Sequence, residues 1–148
     1  MVMKLPKIRV LLSLIGKFDT EVNLDIITKE MCLVPTRTRT PDDWPETIKN
    51  PRAELPDELK PSYVWELDTG YAHNKLVRDR FDVMLNFLTE KRDIINDLKK
   101  RFSLSASFTV GIHAQHDQCN LPEVFLTQEI IAFAASIGAD IGFDMYLD

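Results

Sequence analysis

Two stretches of this sequence alternate strictly between apolar residues and others, and this pattern restricts the fold more than any other feature. In residues 105–112 every even position is apolar, and in residues 140–148 the odd positions are apolar. Because successive side chains of a strand point to opposite faces of a sheet, both stretches predict half-buried strands. We therefore expect Phe143, in the second strand, to be buried, and Phe143→Ala to cost roughly 3–5 kcal/mol.

The rest of the chain alternates strand patterns with helix patterns. Each helix has one apolar stripe and most strands have one apolar face, which favours helices packed on one side of a sheet. We expect an α+β fold: a mixed, mostly antiparallel sheet of about five strands with helices on one face, ferredoxin-like and extended by one helix and one strand. The longest helical pattern is interrupted near Thr89, which indicates a kink or a break. The predicted strands span 8–16, 36–40, 62–68, 105–112 and 140–148, and the helices span 75–102 and follow the N-caps Asn23 and Thr127.

Residues 41–61 hold five of the eight prolines, spaced too closely for a helix or a central strand. The segment is predicted to be a proline-rich loop insert in a single α+β domain over 1–148, since this length is typical of one domain. It forms either an ordered loop or a mobile flap, and Trp44 favours partial docking onto the body of the domain. Long loops in compact domains are often functional.

The acidic charge balance limits the partners of the protein. The formal net charge is −5 and the isoelectric point is about 5.2. Nucleic-acid binding depends on cationic side chains that release counterions, so we expect no nucleic-acid partner. No apolar run approaches the ~20 residues of a membrane-spanning helix, so we expect no membrane partner. The apolar run 10–16 follows basic residues as in a signal peptide, but Lys17-Phe18-Asp19 replaces the small residues of a cleavage site. We expect a cytoplasmic protein.

The histidines and cysteines lack the spacing of a familiar metal or catalytic motif. His113-x-x-His116-Asp117-x-Cys119 places four ligand types within seven residues. Positions three apart on a strand point to opposite faces, so this group converges only if the strand ends between the histidines. We expect a strand end followed by polar loop residues, with no metal, no cofactor and no catalytic residue. Cys32 lies in an apolar stretch and is predicted to be buried.

Several short motifs form a recognisable set. A short helix leads into Val34-Pro35-Thr36-Arg37-Thr38, and Tyr63-Val64-Trp65-Glu66-Leu67 precedes the long helix. The chain ends with Leu126-Thr127-x-Glu129, Ile137-Gly138-Ala139-Asp140-Ile141 and Phe143-Asp144-Met145-Tyr146. This set resembles the bacterial domain-of-unknown-function family numbered 4279 over nearly the whole chain, although the 41–61 insert departs from it. The resemblance implies a small α+β fold in bacteria and implies no activity.

The leading functional hypothesis rests on the outward face of the last strand. Asp140, Asp144 and Tyr146 alternate with the inward apolar residues, and Glu66 and Asp68 extend the same face. Acids mixed with an aromatic residue on an open sheet suit a basic protein partner. The alternative is an ordinary solvated strand face whose charges protect the edge of the sheet from aggregation. We expect a non-catalytic interaction protein, and its small size, its acidity and the bacterial range of the family favour an immunity-type role against a basic toxin.

The alternative is a small ligand-binding domain or enzyme with a cleft between the proline-rich loop and the sheet. Arg37 and Arg39 have the fork geometry that captures carboxylates and other anions, and Trp44 and His113 would complete the cleft. The more ordinary role of Arg37 is structural, with its side chain stacked on a tryptophan or paired with Glu66.

Overall fold

The computed structural model describes residues 5–45, 55–56, 59–115 and 121–147. Four helices and six strands occur in these ranges, and the α+β class predicted from the sequence is confirmed. A short 3-10 helix follows β2 at Pro41–Asp43. The elements are β1 (Lys7–Lys17), α1 (Leu24–Met31), β2 (Arg37–Arg39), β3 (Ser62–Asp68), β4 (Ala72–His73), α2 (Val77–Phe87), α3 (Arg92–Phe102), β5 (Ser105–Ala114), α4 (Gln128–Ser136) and β6 (Ala139–Leu147).

The six strands form one sheet with the first strand near its middle. The order is β2-β3-β1-β5-β6, and β4 pairs with the beginning of β1, beyond the last β3 pair. All pairs are antiparallel except β5 and β6, which run parallel. Leaving β4 aside, the chain follows a β-α-β-β-α-α-β path from β1 to β5. Helix α4 then provides the crossover that a parallel pair requires before β6 joins the edge.

The helices cover one face of the sheet and bury its apolar residues. Trp65 on β3 is fully buried there, as its strand pattern predicts, and its indole N–H donates to the hydroxyl of Thr28 on α1 at 3.0 Å. On the next strands the core includes Leu12 and Phe108, which are paired in register. The opposite face carries most of the polar residues of the sheet and has no helix against it in the described part of the chain. It is called the open face below.

The long helical pattern is broken rather than kinked. Helix α2 ends at Phe87 and α3 begins at Arg92, with Glu90 between them at a positive φ of 64°. The Thr89 hydroxyl donates to the Leu85 carbonyl at 3.2 Å, and so pairs a carbonyl of the last turn of α2. Each of these two helices has 11 residues, and no helix in the described ranges is long and apolar enough to cross a bilayer.

The predicted burial of Phe143 is wrong, although the face on which it lies is right. Phe143 pairs in register with the fully buried Val110 and therefore lies on the helix side of β6. It is nevertheless 41% exposed, because β6 is the outermost strand. Only the first inward residues of β6, Ala139 and Ile141, are half-buried. The helical layer ends before it reaches the second half of this strand.

The prediction for Cys32 is also wrong. Its side chain is exposed, and its backbone adopts the left-handed conformation that ends α1, with φ at 54°. The preceding residue, Met31, is the one that is buried. The apolar character of the surrounding sequence reflects a helix end in contact with the core, and the residue that terminates the helix points outward.

Two residues of the basic run at the end of α3 are engaged within the fold. The Lys99 ammonium donates to the carbonyl of Ile137, at the end of α4. Arg101 forms ion pairs with Glu30 on α1 and with Asp97 one turn earlier on α3. The hydrogen bond with Glu30, followed by that with Asp97, raises the pKa of the Arg101 guanidinium above its ordinary value. This pairing gives the basic run a structural role between helices.

Candidate functional site

A concave pocket of about 440 Å³ lies at the end of the sheet where β1 begins and β5 ends. This volume falls within the range of ~300–1,000 Å³ that small-molecule sites occupy. Strand β4 forms one side of it by pairing with the first residues of β1. The lining residues are Leu5, Lys7, Tyr71, His73, His113, Ala114 and Gln115.

A bend between β3 and β4 brings Tyr71 and His73 to this pocket. After β3 the side-chain oxygen of Thr69 accepts from the amide of Val10, and the amide of Thr69 donates to the carbonyl of Val10, each at 3.0 Å. Gly70 follows with a φ of 78°, a left-handed conformation that glycine adopts without strain. The chain therefore leaves β3 for three residues, 69–71, and returns to β1 as β4, with Tyr71 directly before β4.

Arg80 on α2 holds this bend in place. Its guanidinium donates to the carbonyls of Gly70 at 2.9 Å and Thr69 at 3.3 Å, and its Nε donates to the carbonyl of Ile8 on β1 at 3.2 Å. The carbonyls of Thr69 and Gly70 belong to the bend between β3 and β4, and a charged donor from the helix layer binds them together with the carbonyl of Ile8.

Aromatic rings form a wall on the open face beside the pocket. His113 stacks on Tyr146, its register partner on β6, with ring centroids 4.7 Å apart and planes 19° apart. Tyr71 approaches the other side of His113 edge-on, at 5.1 Å and 82°. The guanidinium of Arg9 lies 4.8 Å from the Tyr71 ring centroid and pairs with Asp68 at 3.2 Å. The imidazole of His113 is therefore held in a fixed orientation by rings on both sides.

Glycine at position 111 allows Tyr71 to lie close to the sheet. A Cβ atom at Gly111 would stand 2.9 Å from the Tyr71 hydroxyl oxygen and 3.2 Å from both Cγ and Nε of Arg9. The first distance is shorter than real Cβ contacts. Any larger residue here would push Tyr71 and Arg9 away from the sheet, and so change the shape of the pocket.

The ionisable groups of the pocket favour negative charge. Its lining includes Lys7, His73 and His113, and none of the described residues that line it is a carboxylate. The Nδ1 atom of His73 lies 3.0 Å from the carbonyl oxygen of Leu5, so this nitrogen carries a proton. Lys7 is exposed at the first position of β1, and its ammonium supplies a full positive charge at the rim.

The five residues predicted to form an acidic face all lie on the open face, but they differ in their charge environment. Asp68 pairs with Arg9 at 3.2 Å, and Glu66 pairs with a further arginine on β2 at 2.9 Å; each acid side chain is only 14% exposed. Asp140 and Asp144 are exposed and form no ion pair with any described residue. Of these five residues, only the two aspartates therefore offer negative charge that no described residue pairs with.

The residues of the predicted ligand cleft are distributed between two parts of the sheet. Arg37 pairs across the strands with Glu66, and the same cross-strand row continues through Ser13 to Ser107 on β5. His113 lies six residues beyond Ser107, a distance along the strand of about 20 Å. Arg37 and His113 therefore do not border one cleft, and Arg37 has the ion-pair role that its pattern also predicted.

Arg39 and Trp44 do lie together, at the other end of the open face from His113. The Arg39 guanidinium stands 4.4 Å from the Trp44 ring centroid, and the indole N–H donates to the carbonyl of Ser62 at 3.0 Å. Trp44 is half-buried by these contacts, which confirms that the start of the proline-rich segment docks on the sheet. Most of that segment, 46–54 and 57–58, lies outside the described residues.

The predicted absence of a metal concerns residues that fall largely outside the described ranges. His113 is described, whereas His116, Asp117 and Cys119 lie in the range 116–120. Among the residues that are described, no group of three or more histidine, cysteine or acidic side chains could hold a metal ion. The aromatic contacts give His113 a different role, as part of a ring stack.

Sequence reasoning missed three polar or aromatic residues of the pocket lining: Lys7, Tyr71 and His73. A two-residue strand such as β4 is too short to show any periodicity. The available signal was Thr69-Gly70, which marked the end of β3 without indicating that the chain returns to β1. Two aromatic residues within three positions after a glycine turn were a further hint of a contact surface.

The molecule is a small α+β domain with a pocket at one end of the sheet. The family model for the domain of unknown function DUF4279 matches residues 6–148, nearly the whole chain. The chain belongs to this family, whose description assigns no activity. No curated protein and no solved structure matches the chain at a significant level.

Proposed function

We propose that the protein is a non-catalytic binding protein that holds a small planar anion in the pocket beside His113. The carrying observation is the composition of the lining: Lys7 provides a cationic group, Tyr71 and His113 provide aromatic walls, and none of the described lining residues is a carboxylate. A planar ligand gains contact area against such rings. Its carboxylate or phosphate group gains a charge-assisted hydrogen bond from Lys7.

The rigidity of the pocket supports this proposal, because contacts with other elements hold its side chains in place. Arg80 fixes the bend that carries Tyr71, and the stack on Tyr146 fixes the His113 ring. A pocket that is already formed does not lose conformational entropy when a ligand binds, and this improves affinity for small ligands.

The proposal is tested by comparing benzoate with benzamide, which have the same ring and differ in charge. We expect millimolar benzoate to raise the thermal unfolding midpoint and benzamide to raise it less, because only the anion pairs with Lys7. Calorimetric titration should show at least a tenfold weaker affinity for benzoate in Lys7→Gln. Equal effects of the two compounds would contradict the proposal.

The control is Lys17→Gln, at the opposite end of the same strand. Lys17 is exposed like Lys7, and its replacement by glutamine removes the same positive charge. It lies beside a different pocket, whose lining includes Phe18 and Lys60. We expect benzoate affinity to be unchanged in this variant. If Lys17→Gln weakens binding while Lys7→Gln does not, the ligand occupies the other end of the sheet and the proposal is wrong.

A second candidate function, docking of a basic protein, is favoured by the exposed and unpaired carboxylates of Asp140 and Asp144. Tyr146 lies on the same face of β6 and would add an aromatic contact. An immunity-type protein that neutralises a basic toxin is the specific form of this proposal, and Glu66 and Asp68 would be rim residues already paired with arginines.

The test of this second function uses the wild type and Asp140→Asn/Asp144→Asn as baits for co-purification from the native host. We expect a basic protein to co-purify with the wild type and not with the double variant. The difference between the two baits should be largest at low salt, where charge steering is strongest. The matched control is Asp19→Asn/Asp82→Asn, which removes the same charge from exposed positions elsewhere. Equal recovery with all three baits would contradict the docking role.

A further inference from the structure

The two outermost strands of the sheet, β2 and β6, differ in how they are protected from pairing. In the described part of the chain, β2 and β6 each have one edge with no strand beside it. β2 has three residues, two of them arginines, and short, charged edges resist association. β6 has nine residues, contains neither lysine, arginine nor proline, and pairs with β5 without a bulge from Ala139 to Leu147. It is therefore a long, regular edge whose only charged residues are Asp140 and Asp144, both on the open face.

The helix side of β6 carries an apolar row that no described element covers. Phe143, Met145 and Leu147 are 41%, 50% and 57% exposed. Their register partners on β5 are buried: Val110, Ile112 and Ala114. Single exposed apolar residues are ordinary on protein surfaces, but a contiguous row along an unpaired strand edge indicates a contact surface.

We infer that two copies of the chain associate through antiparallel pairing of β6, with a two-fold axis at Phe143. A two-fold axis perpendicular to the sheet makes each residue pair with the residue equally far on the other side of the axis. Phe143 is the middle residue of β6, so this register uses all nine residues of the strand. The helices of both copies then lie on the same side of one continuous sheet.

The apolar residues of the two copies match in this register. Phe143 lies opposite Phe143 of the second copy, Ile141 opposite Met145, and Ala139 opposite Leu147. Directly opposite side chains have Cβ atoms about 4.5–5.5 Å apart, close enough for these apolar groups to exclude water from one another. The pairing covers the row that the helical layer leaves exposed.

The charges on the open face select the same register. With the axis at Phe143, Asp140 lies opposite Tyr146 of the second copy, whose hydroxyl can donate to it, and Asp144 lies opposite Gly142. With the axis at Gly142, Asp140 of each copy would lie opposite Asp144 of the other copy. With the axis at Asp144, the Asp144 residues of the two copies would lie opposite each other. Like charges directly opposite each other destabilise a strand pair. An axis at Ile141 avoids these clashes but leaves the end of β6 unpaired.

The inference is tested first by mass in solution. Sedimentation equilibrium over a wide concentration range should show a species of twice 17.0 kDa. Phe143→Lys places two positive charges at the axis, and we expect it to weaken the dimer at least tenfold. The control is Val34→Lys, which adds the same charge at another exposed apolar residue (84% exposed) and should leave the dimer intact. Urea unfolding of each dilute variant shows whether the fold is retained.

A wild type that remains monomeric at every concentration overturns the inference, and leaves the β6 edge to a different occupant such as a foreign strand. A dimer that Phe143→Lys does not weaken overturns it as well. The register is read by single cysteines in a Cys32→Ser/Cys119→Ser background. Phe143→Cys should form an intermolecular disulfide under mild oxidation, whereas cross-linking at Gly142→Cys or Asp144→Cys instead would show a different axis and contradict the proposed pairing.

Discussion

Gly111 and Arg80 show how single residues shape the pocket without lining it. Gly111 on β5 leaves the space that the Tyr71 hydroxyl occupies, and Arg80 on α2 binds the carbonyls of the bend that carries Tyr71. Neither residue belongs to a local pattern that marks it as special. Their importance comes from contacts between elements that are far apart in the sequence.

Gly111→Ala should distort the pocket, because its new Cβ atom would stand 2.9 Å from the Tyr71 hydroxyl. We expect a loss of roughly 1–3 kcal/mol in the free energy of unfolding, as in other overpacked sites, and changed NMR shifts of the His113 ring. Gly142→Ala is the matched control on the neighbouring strand, since a Cβ there meets nothing within 4 Å. Similar losses in both variants would show that the effect comes from the strand backbone and not from Tyr71.

Arg80→Ala should destabilise the bend between β3 and β4. The change leaves the carbonyls of Ile8, Thr69 and Gly70 without their charged donor, and we expect it to cost roughly 2–3 kcal/mol in urea unfolding. Arg92→Ala removes an exposed arginine whose ion pair within the described residues is with the adjacent Asp93, and it should cost less than about 0.5 kcal/mol. Equal urea-unfolding midpoints for the two variants would contradict the role of Arg80 in stabilising the bend.

At the scale of elements, the period of the longer strands and helices was predictable, whereas burial at the edge of the sheet and the pairing of the strands were not. Alternation placed Phe143 on the correct face of β6, but the sequence contains no signal for how far the helical layer extends. The interruption near Thr89 was visible, and the left-handed Glu90 makes it a true break. The pocket depends on β4, whose pairing with β1 is a long-range contact that no local pattern reveals.

The exposure of Phe143 predicts a smaller energetic role than its sequence pattern did. In dilute protein we expect Phe143→Ala to cost less than about 1.5 kcal/mol, because much of its ring is already in contact with water. Phe108→Ala, on the adjacent strand, should cost roughly 3–5 kcal/mol, since this ring is fully buried and packs edge-on against Phe81. Urea midpoints that fall equally would mean that Phe143 is covered in solution.

At the scale of the whole molecule, stability is concentrated in the centre of the sheet. β1 pairs with β3 along one edge and with β5 along the other, and its inward residues are almost completely buried. The periphery consists of β2, with three residues, and β6, with one described neighbour. Opening of the periphery exposes few apolar contacts, whereas opening of β1 disrupts the entire core.

Hydrogen exchange should reveal this gradient. We expect the amides of Leu12 and Phe108 to exchange at least 100-fold more slowly than that of Thr38 on β2, since the central amides exchange only when the core unfolds. The measurement is two-dimensional NMR after transfer to deuterated buffer. Comparable rates at the centre and at β2 would show that the sheet opens as one unit.

The central position of β1 has a consequence for how the protein is made. β1 leaves the ribosome before the other described strands, yet its second neighbour is complete only at Ala114. Synthesis of the roughly 100 intervening residues takes on the order of 5–20 s, and during this time one edge of an apolar strand has no partner. Closing so long a loop is also slow, because the chain loses entropy before the new contacts compensate. The nascent chain is therefore most prone to aggregate through β1. The extent of aggregation depends on how quickly β5 is synthesised and pairs with this strand.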